Sequence, residues 1–145
     1  MTTVPAASHF VVRDSIRLHH LDWGEDGGEK TTPPRPTILL VHGSRLHAHV
    51  WNDFCRRFRD RYRIVAVDQR GHGDSGWCES RNYGLEDFYQ DLLAVVTERN
   101  LGRFTLIGHS LGGRVSMLFA ERHPSHVDRL VLVDIAAGRP ANIAP

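Results

Sequence analysis

Little in this chain is extreme, and each shortage removes a class of function. Its 145 residues hold two cysteines, Cys55 and Cys78. They form no CxxC pair, and no set of His, Cys, Asp and Glu shows metal-ligand spacing. Reduced thiols are expected, and no metal. Net charge is also scarce: at +1 it gives no electrostatic footprint for nucleic acid or an anionic membrane surface. No apolar run approaches the roughly 20 residues of a membrane span, and Met1 to Ala7 lacks the basic start and apolar core of a secretory signal. The expectation is a cytoplasmic chain whose partners include neither nucleic acid nor membrane. A Gly-Lys-Ser/Thr phosphate loop is missing too, so no nucleotide and no other cofactor is expected. Arg56, Arg57, Arg59, Arg61 and Arg63 crowd together, which reads as a solvated helix end where cations complement the dipole.

The composition, 41% hydrophobic and 24% charged, is that of an ordinary globular domain. Phe10-Val11-Val12 and Ile16 to Trp23, divided by Arg13-Asp14-Ser15, read as a β-hairpin over 9–23. Residues 24–36 are rich in Gly, Pro, Thr and charge, which marks a loop. Four continuous apolar runs follow: Thr37 to Val41, Ile64 to Val67, Phe104 to Ile107 and Val127 to Val133. Each reads as a strand buried on both faces. Between them lie amphipathic stretches. Trp51, Phe54 and Phe58 trace a helical stripe from about Ala48 to Arg59. Leu85, Phe88, Leu92, Val95 and Val96 trace a second, and Leu111, Val115, Leu118 and Phe119 a third that stops before Pro124. A hairpin followed by βα units over 37–135 predicts an α/β fold with a mostly parallel sheet covered on both faces.

Sites in such sheets form at the carboxyl ends of the strands. The loops there begin with His42-Gly43, Asp68, Gly108 and Asp134. The third carries Gly108-His109-Ser110-Leu111-Gly112, a Gly-x-Ser-x-Gly between an apolar strand and a helix pattern. That context makes Ser110 a candidate nucleophile on a sharp strand-to-helix turn. Asp68, Arg70, Asp74 and Ser75 are expected to hold their own turn together through side-chain-to-backbone bonds.

The chain resembles the α/β-hydrolase superfamily, of the serine-nucleophile, cap-bearing type, in its N-terminal half. The resemblance rests on His42-Gly43, on Trp51 beyond it, on Asp68-x-Arg70-Gly71-x-Gly73-x-Ser75, and on the elbow around Ser110, in that order. It implies an α/β-hydrolase core truncated after about the sixth strand, with residues 136–145 leading toward a cap. It implies that Ser110 attacks a carbonyl carbon to form an acyl-enzyme. Backbone N–H groups of Ser44 and Leu111 would hold the oxyanion. Around them, His42 and Gly43 would shape the oxyanion loop, and His109 would pack beside the nucleophile. His47, His49 and His72 would stand near the pocket mouth, with Trp51 in its floor.

The family's triad continues with an acid and then a histidine. After Ser110 the chain offers only His123 and His126, both toward the wrong edge of the sheet. Asp134 is the sole candidate acid, alternatively a brace for its loop. The resemblance thus implies a serine hydrolase of esters, thioesters or carbon–carbon bonds next to a carbonyl, inactive as it stands. The alternatives are an acyltransferase or a non-catalytic binding module. A serine at the elbow, rather than aspartate, argues against epoxide hydrolase chemistry. The expected partners are a small acyl substrate, and either further copies of the chain or a complementing C-terminal half.

Overall fold

The computed structural model describes residues 5–24 and 33–135. Most of the loop expected over 24–36 and the whole tail over 136–145 lie outside them. The hairpin comprises β1 (Ala7–Arg13) and β2 (Ile16–Asp22). Its two-residue turn puts both Asp14 (φ 49°) and Ser15 (φ 64°) in the left-handed region, the turn whose twist suits a tight hairpin. Then come β3 (Thr37–Val41), a 3₁₀ turn (Ala48–Trp51), α1 (Asn52–Phe58), β4 (Arg63–Val67) and α2 (Leu85–Glu98). The chain continues with β5 (Phe104–His109), α3 (Leu111–Arg122), a 3₁₀ turn (Pro124–His126) and β6 (Val127–Val133).

The six strands form one sheet in the order β1-β2-β4-β3-β5-β6. β1 and β2 run antiparallel to each other, and β2 runs antiparallel to β4. The β3–β4, β3–β5 and β5–β6 pairs are parallel. This is the architecture expected from the continuous apolar runs, because a central parallel strand has no wet face. The fourth run departs from that reading, since β6 is an edge strand among the described residues and is exposed along most of its length. Alternation along β3 shows the two-sided burial directly. Ile38 and Leu40 pack on the α1 side with Trp23, Ile64 and Ile107, while Leu39 and Val41 pack under α2 and α3 with Phe88, Val115 and Phe119. Helices therefore cover both faces, and the carboxyl ends of β3, β4 and β5 come together at one edge.

The arginine cluster is only partly a solvated helix end. Arg56 and Arg57 are exposed in the last turn of α1. Arg59 stands over the Trp23 ring at 5.4 Å, and Arg63 lies inside β4, where it pairs with the buried Asp22 at 2.7 Å. A strand position next to a buried carboxylate cannot be read from arginine density. Both thiols are free, Cys55 buried and Cys78 half-buried. Burial pushes the Cys55 thiol up to about 12, so it is an inert core residue. Among the described residues no helix is long and apolar enough to cross a membrane.

Candidate active site

β5 runs without interruption into the turn that carries Ser110, and α3 starts at the next residue. Ser110 itself sits at φ 50°, ψ −114°, a conformation a side-chain-bearing residue adopts only when its surroundings impose it. Two hydrogen bonds and two close-packed glycines impose it here. The Ser110 N–H bonds the Val133 carbonyl at the end of β6 (3.1 Å), and the Ser110 carbonyl accepts from Arg114 N–H at the start of α3 (3.1 Å). The flanking glycines let the backbone close up. A Cβ on Gly108 would come within 2.5 Å of the Gly112 carbonyl, and one on Gly112 would overlap the carbonyl oxygens of Val41 and His42. The spacing of the motif is thus a packing requirement between the elbow and the end of β3.

Gly43 faces this turn. A Cβ there would sit 2.7 Å from Nδ1 of His109 and 3.2 Å from Cβ of Ser110. The loop after β3 therefore lies directly against the serine. Leu111 opens α3, so its N–H is among the first-turn donors with no acceptor inside the helix. Ser44 is exposed at the turn closed by Leu46 N–H on the Gly43 carbonyl (3.2 Å).

His42 is fully buried and braces this loop. Its Nε2 accepts the Gln69 N–H at 3.0 Å, which leaves Nδ1 to carry the proton and donate to the Gly43 carbonyl at 2.7 Å. Burial, reinforced by the neighbouring His72, lowers its pKa to about 4, although the bond to Gly43 opposes the shift. The ring is neutral and committed at both nitrogens. Gln69 completes the brace by donating Nε2–H to the His42 carbonyl at 2.7 Å.

The loop after β4 reaches further than its sequence implies. Ser75 Oγ–H bonds the Asp68 carbonyl (2.6 Å) and Asp74 N–H bonds Asp68 Oδ2 (3.0 Å), the local closure that was expected. Asp68 also accepts from Ala48 N–H (2.6 Å) and from His19 Nδ1 (2.8 Å). Arg70 leaves the turn altogether. It makes a two-pronged pair with Asp91 of α2 (both 2.6 Å) and donates to the Asn82 carbonyl (2.8 Å). Sequence reasoning missed Gln69, His19 and Asp91 as supports of the site, because their partners are distant in the chain. The loop also spells Gly71-x-Gly73-x-x-Gly76, letters that suit a dinucleotide only where a helix opens directly behind them. Here α2 begins at Leu85, and Gly73 is packed against the Asp68 carboxylate.

The remaining predicted residues divide. His109 is half-buried, and its Nε2 lies 3.8 Å from Oδ2 of the exposed Asp134, which follows β6 at φ 51°. His72 lies tilted beside His42 (5.1 Å between ring centres), and its Nδ1–H donates to the Arg70 carbonyl (2.9 Å). His47 and His49 pair with each other at 5.9 Å. Trp51 packs with Phe54 against the α1-side core. His123 and His126 stay at the far edge, bonded to Tyr89 Oη (2.6 Å) and the Gly102 carbonyl (2.6 Å).

A serine held at positive φ between a parallel strand and a helix, under a histidine-braced loop, defines the nucleophile-elbow class of α/β proteins. The chain belongs to the alpha/beta hydrolase fold family, whose pattern it matches over residues 36–144. It is 30% identical over 129 residues to epoxide hydrolase 1 of Caenorhabditis elegans, covering 88% of this chain and 30% of that protein. Among solved structures it resembles a bacterial membrane phospholipase A (TM-score 0.81, 30% identity, 95% of this chain and 42% of that one). It also resembles an alpha/beta hydrolase from Novosphingobium aromaticivorans (TM-score 0.78, 28% identity, 89% and 44%). The chain spans less than half the length of each.

Proposed function

We propose that Ser110 is the nucleophile of a serine hydrolase acting on an ester, a thioester or a carbon–carbon bond next to a carbonyl. The observation that carries this reading is the left-handed Ser110 wedged between Gly43 and the first turn of α3. Its hydroxyl oxygen would bond the carbonyl carbon while the displaced electron pair settles on the carbonyl oxygen. The N–H groups of Leu111 and Ser44 would stabilise that charge. Names of relatives include an epoxide hydrolase, but a serine at the elbow in place of a carboxylate favours acyl transfer for this chain.

Among the described residues, His42, His19, His123 and His126 are each bonded to other partners away from Ser110. His109 neighbours Asp134 rather than standing as a free base. A histidine from a complementing C-terminal half would take the hydroxyl proton and return it to the leaving group. Without it the chain is expected to react only with activated fluorophosphonates, whose fluoride leaves without being protonated, and not to turn over an ester. An alkyl fluorophosphonate tests the nucleophile: an adduct on the tryptic peptide Phe104–Arg114, lost in Ser110→Ala, supports it. Labelling that survives that substitution on the same peptide, or none at all, overturns it. Adding an alcohol or thiol acceptor to the acylated protein and analysing the product separates hydrolase from acyltransferase.

A further inference from the structure

On the face of the hairpin away from α2, three residues distant in sequence make a continuous hydrogen-bond chain. Ser8 Oγ lies 2.7 Å from Nε2 of His19, and His19 Nδ1 lies 2.8 Å from Oδ2 of Asp68. Register explains how they meet. Ser8 stands opposite Leu21 and Phe10 opposite His19, so Ser8 is the diagonal neighbour of His19 on one face of the β1–β2 ribbon. The adjacent β2–β4 pairing then brings Asp68, just past the end of β4, behind the imidazole.

The chemistry of the chain follows from burial. His19 and Asp68 are buried, whereas Ser8 is exposed. Burial alone would raise the Asp68 pKa, but the bonds from His19, Asp74 N–H and Ala48 N–H outweigh it and hold the group below its ordinary value. Asp68 is therefore a carboxylate and accepts from Nδ1–H of His19. That fixes the tautomer and leaves Nε2 as a lone-pair acceptor for the Ser8 hydroxyl. The imidazole is held from its backbone too, since His19 N–H bonds Ser75 Oγ at 2.8 Å. An exposed hydroxyl, an oriented base and a buried carboxylate form the arrangement that activates a serine.

The surroundings suggest what such a serine would meet. Phe10 and Val12, on the same face of β1 as Ser8, are 41% and 59% exposed. The Arg17 guanidinium lies 3.9 Å above the Phe10 ring, which extends the platform. Among the described residues β1 is an edge strand, so alternate N–H groups along it point away from β2.

We propose that Ser8, with His19 and Asp68, is a second nucleophilic site that accepts acyl or phosphonyl groups from activated apolar donors. With an aryl ester, the Ser8 Oγ–carbon bond forms as the bond from that carbon to the aryl oxygen breaks. The hydroxyl proton passes to His19 Nε2 and then to the departing phenolate. With an alkyl fluorophosphonate the Oγ–P bond forms, fluoride leaves, and the proton passes through His19 to water. The platform of Phe10 and Val12 holds the apolar chain. Ser8 and Ser110 fall on separate tryptic peptides, which tells their adducts apart.

The test uses the full chain carrying Ser110→Ala, so that the elbow does not compete. After exposure to an alkyl fluorophosphonate, mass spectrometry of tryptic peptides compares the peptide ending at Arg13 with those carrying the exposed Ser44 and Ser80. Ser8 is expected to react about a hundredfold faster than either, the low end of what a positioned base supplies. Ser8→Ala, an exposed change that leaves the fold intact, should abolish that adduct, and His19→Gln should slow Ser8 to the rate of the reference serines. Ser8 reacting no faster than Ser44 and Ser80 overturns the proposal whatever the His19 variant does.

Discussion

Gln69 grips His42 at both ends: its backbone N–H bonds His42 Nε2 at 3.0 Å and its side-chain amide bonds the His42 carbonyl at 2.7 Å. The loops after β3 and β4 are tied through these two residues, and the first of them lies against Ser110. Replacing His42 by Leu strands the buried Gln69 N–H and removes the donor to the Gly43 carbonyl. Each unpaired group costs about 1–3 kcal/mol. His42→Leu should lower the urea midpoint accordingly and slow phosphonylation of Ser110, since Gly43 is no longer held. Unchanged labelling in a folded variant would show that the brace does not position the loop.

His20 makes a contrasting prediction. It is fully buried, and among the described residues neither ring nitrogen has a hydrogen-bond partner. Burial, with repulsion from Arg99 and His9, lowers its pKa from 6.5 to about 4. Its folded-state value lies below the unfolded one, so the unfolded chain binds the proton the fold refuses. Stability is therefore complete above pH 6.5 and falls as the pH drops from there toward 4. The loss from one such group is of the order of 3 kcal/mol. His20→Phe keeps the ring and removes the titration. It should match the wild type at pH 7.5 and exceed it at pH 4.5 in thermal melts. Equal acid sensitivity in the two proteins would mean that His20 is not the group responsible, leaving His42, shifted to the same value.

Arg70 and Asp91 supply the third test. Both are buried, and Arg13 adds a further bond to Asp91 at 3.0 Å. Removing Arg70 leaves the buried Asp91 carboxylate with Arg13 alone, and breaking a buried pair typically costs about 3–5 kcal/mol. Arg70→Met alone should be strongly destabilising, whereas Arg70→Met with Asp91→Leu should recover most of the loss. A double-mutant cycle in urea reads the coupling directly. Additive losses would place the destabilisation in packing rather than charge.

These cases show which parts of the molecule its sequence announces. The first three apolar runs and the elbow are local signals: a strand with no wet face has to be apolar throughout, and Gly108 and Gly112 have to be glycine because carbonyls press on them. Both were legible without a partner in view. The supports of the site were not. Asp68 meets His19 across 49 residues because β4 lies next to β2 in the sheet, and Arg70 meets Asp91 of α2 across 21. Arg70 looked like a turn residue because every side chain near it in sequence belongs to a turn. Arg63 looked like part of a helix end because nothing in the arginine run marks where α1 stops and β4 begins.

β6 carries the last prediction. It pairs with β5 on one side and, among the described residues, with no strand on the other. Leu130, Val131 and Val133 are 37%, 42% and 39% exposed. An edge of this length presents unpaired N–H and C=O groups beside apolar side chains, the combination that recruits another strand. The chain should therefore associate with itself at micromolar concentration, seen as a sedimentation coefficient that rises with concentration. Natural edges are protected by a charge placed in the strand, so Val131→Lys should shift the population to monomer. The substitution touches none of the Ser110 contacts described above, so phosphonylation of that serine should continue. Association that persists in Val131→Lys would locate the sticky surface elsewhere, and a wild-type chain that sediments as one monomeric species at every concentration would remove the need for one.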